Sequence, residues 1–200
     1  MGFKIQWSKY MKPFFGTPIK SVRITSGEFS AIGEFVISKK GIEGSGIYAA
    51  SKFLRDGNSL MIDLLPDTEI KTLNKRQKLL SLKVSRSTLN RKVLRLDKGK
   101  TAFFNEFSQH ISTQNIVHAA KNLLIPHEGP HPINEAISTA GGVSESALND
   151  NLMLKAKPSV FCAGEMLDWE APTGGYLITA CLATGKWAGL GAVNYIKSLK

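Results

Sequence analysis

The run Pro126-His-Glu-Gly-Pro-His-Pro132 constrains this chain more than any other stretch of it. Proline has no N–H to donate and its ring disfavours a helical residue before it. Three prolines in seven positions therefore cannot lie inside a helix or a central strand. The run is an extended connector, and it divides the chain into a long N-terminal part and a shorter C-terminal one.

On the N-terminal side, residues 13–65 read as strands. The segment 19–24 (IKSVRI) alternates, 29–37 is short and apolar, and 60–64 is a buried-strand candidate. Gly16, Gly27, Gly33 and Gly41 punctuate them. Residues 45–55 (SGIYAASKFLR) carry helical spacing at Ile47, Ala50 and Leu54 and stop at Asp56-Gly57. From Thr68 to about Leu124 the apolar residues recur at three and four: Leu73, Leu79 and Leu80, then Leu89, Val93 and Leu96. Phe103, Phe104 and Phe107 follow, then Ile116 and Val117. The pattern predicts several short helices with a break at Gly99.

Beyond the connector, 136–140 (AISTA) is a short strand candidate running into Gly141-Gly142, and 159–163 is another. A long helix is expected from about Tyr176 to Leu199. Its expected buried stripe is Ile178, Cys181, Leu182, Ala188, Ala192, Val193 and Ile196. Ala180, Ala183, Gly185 and Gly189 would permit close packing.

Hydrophobic content of 42% and charged content of 21% are those of a soluble globular chain. There is no run of eighteen uncharged apolar residues, and the N-terminus lacks the apolar core of a secretory signal. The expectation is a cytoplasmic protein with no membrane partner. Cys162 and Cys181 lie in apolar contexts without a CxxC partner, which fits buried thiols better than a disulfide.

The net charge of +10 is local. Residues 71–100 hold eleven Lys and Arg against one acid, Asp97, whereas the rest of the chain is neutral. Clustered cations of this kind can neutralise phosphates. The favoured reading is the solvated outer face of helices whose apolar residues point inward, with anionic substrates or nucleic acid behind it. No aromatic interleaves them for base stacking, and no named nucleic-acid-reading motif occurs. A basic domain binding nucleic acid or an acidic protein partner through 71–100 is the alternative functional reading, with nucleic acid the less favoured partner.

The chemistry-bearing stretch is Val160-Phe-Cys-Ala-Gly-Glu-Met-Leu-Asp168, followed by Thr173-Gly-Gly-Tyr176. A glycine past a strand lets backbone approach a ligand, and the carboxylate of Glu165 could accept a bond from a ligand hydroxyl. Two glycines entering a helix expose N–H donors at its positive end, which suits an anionic or carbonyl-rich group. Each feature alone is more often a plain turn. Together, in a strand–loop–helix frame, they are more specific.

The segments AISTAGGV (136–143), VFCAGEMLD (160–168) and TGGY (173–176), in this order and spacing, resemble the HI0933-like flavoproteins (the BaiN and aminoacetone oxidase-like family). The segment GIEGSGIYAAS (41–51) is similar to another stretch of that family. The resemblance implies an FAD-dependent oxidoreductase and an α/β fold with α+β inserts. Its β-rich insert would be 1–66 and its basic helical insert 67–126. A connector and return strand would take 127–143, and 144–200 would be the C-terminal part of a Rossmann-type FAD-binding domain. It implies that Glu165, behind Gly164, bonds the ribityl chain. Backbone around Thr173, Gly174, Gly175, Tyr176, Leu177 and Ile178 would face the pyrimidine edge of the isoalloxazine. Thr139, Ala140, Gly141 and Gly142 would lie along the ring.

Two departures stand out. Leu177-Ile178-Thr179 occupy positions where the family often has Asn and Gln. No Gly-x-Gly-x-x-Gly occurs, since Gly41-Ile-Glu-Gly44-Ser-Gly46 has the wrong spacing for the loop that the ADP half of FAD needs. The expectation is the second half of a larger flavoprotein, truncated or split, with a Rossmann-half partner chain and a small-molecule substrate. The residues themselves name no catalytic side chain and no metal site. His110, His118, His127 and His131 lack ligand spacing, and the last two are expected to be exposed. Trp7, Trp169 and Trp187 read as packing residues, and Asp168 and Glu170 as surface acids.

Overall fold

In the computed structural model, residues 1–80, 84–136, 138–170 and 175–200 are described. They form two compact units, Met1–His131 and Pro132–Lys200. The first is built on one sheet of six strands: β1 (Phe3–Lys4), β2 (Pro18–Ser26), β3 (Phe29–Ser38), β4 (Gly41–Glu43), β5 (Leu60–Asp63) and β6 (Leu123–Ile125). Their order is β1-β4-β3-β2-β5-β6, and every pairing is antiparallel.

The β2–β3 hairpin turns on Gly27 and Glu28, with Ser26 opposite Phe29. Such two-residue loops favour positive φ, and Gly27 supplies it at 56°. On β2 the residues Ile19, Val22 and Ile24 are all buried, although Ile19 and Val22 are three apart. Strict alternation would put one of them on the wrong face. The register shifts between them, and Ser21 takes φ 50°, so one extra residue restores both to the core. The apparent alternation of 19–24 thus contains a bulge. Lys100 holds it, donating from Nζ to the carbonyls of Ser21 (3.1 Å) and Leu64 (2.8 Å). Burial lowers the pKa of this ammonium, while Asp97, Asp63 and Asp67 act in the opposite direction.

The helix α1 (Ser45–Arg55) buries Ile47, Ala50 and Leu54, the stripe that its spacing predicts. It lies close against the sheet because Gly46 leaves room: a Cβ there would strike Ile24 Cδ1 and the Glu34 carbonyl. A Cβ on Gly41 would strike the Phe3 carbonyl, across the β1–β4 pairing. Gly41 and Gly46 are therefore accounted for by strand pairing and packing, and Gly44 by its φ of 108° at the start of α1.

The helices α2 (Ile70–Lys78), α3 (Arg86–Leu89), α4 (Lys98–Ser108) and α5 (Ile116–Lys121) follow, with α3 running into a π turn at Asn90–Leu94. Leu73, Leu89, Val93, Phe103, Phe104, Ile116 and Val117 enter the same hydrophobic core as the sheet. Strand and helical segments thus share one interior. Leu79 departs from the expected pattern, being 78% exposed at the C-terminal cap of α2. The guanidinium of Arg86 caps the end of α4. It donates to the carbonyls of Ser108 (2.6 Å) and Ile111 (3.3 Å) and lies 5.9 Å from the Phe104 ring.

The connector is not a solvated loop. Lys4 N–H donates to Gly129 O, Glu128 N–H to Lys4 O and His131 N–H to Gly2 O, so 128–131 run along the β1 edge. Prolines are tolerated at such an edge, where no ladder donor is required of them. His131 is consequently buried. His127 is half-buried, its ring edge against Phe3 at 5.0 Å and its Nδ1 accepting from Gly129 N–H. Their expected exposure is corrected by this edge pairing. Burial lowers the pKa of His127.

A second polar clip joins α5 to the loop after β5. Lys121 Nζ pairs with Asp63 Oδ2 at 2.7 Å and donates to the carbonyls of Leu65 (2.7 Å) and Thr68 (3.1 Å). Both side chains are nearly buried, at 11% and 12% exposure. Lys121→Met should lower unfolding stability by about 3–5 kcal/mol, because a buried carboxylate and two carbonyls lose their partner. Adding Asp63→Leu should recover part of the loss. Urea midpoints of the two variants check both statements, and a single variant within error of the parent would contradict the first.

Candidate functional site

The unit Pro132–Lys200 has little regular structure before its last helix. Among its described residues no strand forms, and the chain is knit by single bridges: Val143 with Leu167 in parallel, Leu148 with Leu154 and Met153 with Phe161 antiparallel. The expected strand at 159–163 is reduced to the last of these bridges. The expected strand at 136–140 is absent from its described residues, Ile137 lying outside them. A strand needs a ladder on at least one side. Here Ile133–Glu135 wind into a 3-10 turn, and Gly141 and Gly142 take φ of 93° and 149°.

The parallel bridge brings two predicted site segments together. Val143 N–H donates to Met166 O at 2.8 Å, and Asp168 N–H donates to Val143 O at 2.9 Å. The backbones meet because Gly142 has no side chain; a Cβ there would strike the Met166 carbonyl. Gly164–Met166 form a single 3-10 turn, opened by Gly164 at φ 71°. Glu165 on this turn is exposed, and its carboxylate bonds no described residue.

The turn is fastened to the helix α6 (Gly175–Ser198). Gly164 N–H donates to Thr184 Oγ1 at 3.0 Å, while that hydroxyl donates to Ala180 O at 2.8 Å. Cys181 Sγ lies beside Gly164, 3.8 Å from where a Cβ would stand. Thr184, which is not among the expected site residues, ties the turn to the helix. Its only signal is a hydroxyl on the inward face of a small-residue helix, where back-bonding to i−4 is common.

At the start of α6, Gly175, Tyr176 and Ile178 are exposed and Leu177 is half-buried. Tyr176 stacks obliquely on Trp169, with centroids 6.2 Å apart. Thr173 and Gly174 lie outside the described residues. Thr139, Ala140 and Gly141 are exposed, and open space surrounds Gly141. Gly142, Gly164, Glu165 and the body of α6 are thus brought together, by the backbone bridge at Val143 and by the Thr184 hydroxyl.

The expected buried stripe of α6 is corrected. Ala188 is buried, and Cys181 and Ala192 are half-buried, but Ile178, Leu182, Val193 and Ile196 are exposed. The inward face runs instead through Thr184, Ala188 and Gly191, where a Cβ on Gly191 would meet Asn151 O at 2.6 Å. Gly185 and Gly189, expected at a close contact, have nothing within 4 Å of a Cβ. Trp187 is likewise exposed, its Nε1 donating to Asp150 O at 2.7 Å.

A cleft of 520 Å³ opens on the other side of Thr184, between α6 and 145–155, lined by Leu148, Leu152, Trp187 and polar neighbours. It includes none of the predicted flavin residues. Among the described residues no cluster of His, Cys, Asp or Glu could hold a metal, and no helix is long and apolar enough to cross a membrane.

The geometry is that of a mixed α/β chain whose C-terminal unit sets a glycine-lined parallel contact against one helix. A family model, HI0933-like protein Rossmann domain, matches residues 17–191. The chain belongs to this family of FAD-binding Rossmann proteins.

Replacing Thr184 with Val keeps the shape and removes the acceptor for Gly164 N–H. The Gly164 amide should then exchange roughly tenfold faster, in line with the loss of one hydrogen bond, with α6 still helical by circular dichroism. Unchanged exchange at Gly164 would show that the turn is held by other contacts.

Proposed function

We propose that this chain supplies the isoalloxazine and ribityl side of the flavin site of an FAD-dependent oxidoreductase, with Met1–His131 providing the family's substrate-cap inserts. The observation that carries this reading is the junction of Gly142, the Gly164–Met166 turn and α6. It leaves the Glu165 carboxylate without a partner among the described residues, beside the exposed first described turn of α6.

The residues fit the group on that side. On this reading Glu165 accepts from a ribityl hydroxyl, and the positive end of α6 near Gly175 and Tyr176 faces a ring edge that gains negative charge. Open space at Gly175 and Gly141 leaves room for a flat ring. When bound, the flavin would supply hydride or electron transfer. The chain's own part is to hold and orient it and to stabilise the negative end of the ring.

No Gly-x-Gly-x-x-Gly exists here to bind the pyrophosphate, so this reading requires that loop from a strand–loop–helix partner. The outer face of α6 supports the same need. Ile178, Leu182, Val193 and Ile196 are exposed there, and Gly185 and Gly189 offer close approach. Such a face suits the apolar surface of a parallel sheet.

Titration of the purified chain with FAD, followed by flavin fluorescence and by thermal shift, tests the reading. Binding is expected to appear or strengthen when a chain carrying the glycine-rich loop is added. In that assembly Glu165→Ala should weaken FAD binding by about 1–3 kcal/mol, the range for a lost charged hydrogen bond. No binding with or without the partner would remove the flavin reading, and unchanged affinity in the variant would remove the role of Glu165.

A further inference from the structure

We propose that the basic face formed by α2 and the π turn after α3 docks on an anionic lipid membrane surface, with Leu79 entering the headgroup region. The face is built by two elements joined through Arg76, whose Nη1 donates to Val93 O at 3.2 Å. Lys71, Lys75 and Lys78 recur at four and three along α2 and are exposed on one side of it, opposite buried Leu73. Arg91, Lys92 and Arg95 are exposed on and just after the π turn.

None of these six side chains forms an ion pair with a described residue. The one acid in residues 71–100, Asp97, is occupied in capping α4 through Lys100 N–H at 2.7 Å. By contrast Arg86, Arg76 and Lys100 from the same basic run are turned inward and spent on backbone carbonyls. The chain therefore sorts its cations, and those left outside are uncompensated. Clustered unpaired cations match the potential of an anionic leaflet, where each contributes to binding.

A second observation selects lipid among polyanions. Leu79 is 78% exposed, more than any other large apolar side chain among the described residues. It lies one turn beyond Lys75 on α2, and on the helix circumference it falls between Lys75 and Arg76, the residue that ties the π turn in place. An apolar side chain flanked by cations is of no use to a phosphate backbone in water. It is what a peripheral membrane contact requires. The face also lacks the aromatics on which a single-stranded nucleic acid would stack. The lack of a spanning helix bears on insertion and not on such surface docking. This surface is independent of the flavin reading.

Co-sedimentation of the full chain with vesicles of phosphatidylcholine alone and of phosphatidylcholine mixed with phosphatidylserine tests the proposal. Binding should be confined to the anionic vesicles and should weaken as salt rises. Lys71→Gln/Lys75→Gln/Lys78→Gln should reduce partitioning roughly a hundredfold, from about tenfold or less per cation. Leu79→Gln, which leaves the charge unchanged, should reduce it roughly tenfold, as the loss of one buried leucine implies. Circular dichroism and melting of each variant should match the parent. Equal binding to neutral vesicles, or full binding by Leu79→Gln, overturns the proposal. So does duplex DNA binding tighter than anionic vesicles and indifferent to Leu79.

Discussion

Phe103 is the contact on which the larger unit depends. Its ring lies 5.0 Å from Phe35 on β3 and 5.0 Å from Phe107 one turn along α4, and Trp7 closes the group at 6.3 Å. One side chain thus joins the sheet, the N-terminal segment and the helical half. Ring pairs at such spacings add to simple burial. The sheet could not bury its inner face without α4, and α4 could not stay helical without a face to cover. Lys100 and Lys121 then fix the detail, the first at the bulge and the second at the loop after β5. Each supplies donors to backbone carbonyls that the strand and helix ladders leave unpaired.

The smaller unit is organised on the opposite principle. Among its described residues the buried hydrophobics are Leu148, Cys162 and Ala188, whereas many of the large apolar side chains face outward. Small units rarely gain enough from burial to offset ordering the chain. Its order rests on backbone bridges and on one helix, with Thr184 as the polar joint between them.

That contrast explains how much was legible in the sequence. Helix α1 was legible because Ile47, Ala50 and Leu54 form a narrow stripe between polar residues, and the core lies where the stripe points. The bulge at Ser21 was hidden because 19–24 reads as near-alternation, and only the burial of both Ile19 and Val22 reveals the extra residue. On α6, the spacing of Ile178, Leu182, Val193 and Ile196 predicts a buried stripe, and all four are exposed. Apolarity, however, reports that a surface must be covered and not what covers it. The histidines of the connector were misplaced for the converse reason: proline marks where a helix cannot be, but it does not exclude edge pairing along β1.

The glycines of the candidate site were legible by position, and their reasons differ. Gly142 is required by the Met166 carbonyl and Gly164 by its positive φ, so these two shape the backbone whatever binds there. Gly175 touches nothing and is under no such demand. On the flavin reading, the departure at Leu177-Ile178-Thr179 therefore matters less than it first suggests. The hydroxyl of Thr179 is already bonded back to Gly175 O at 2.7 Å, and Ile178 is exposed and apolar. On that reading the ring edge would meet the positive end of α6, which belongs to the helix backbone and not to the side chains that follow. Polar side chains at these positions would add orientation.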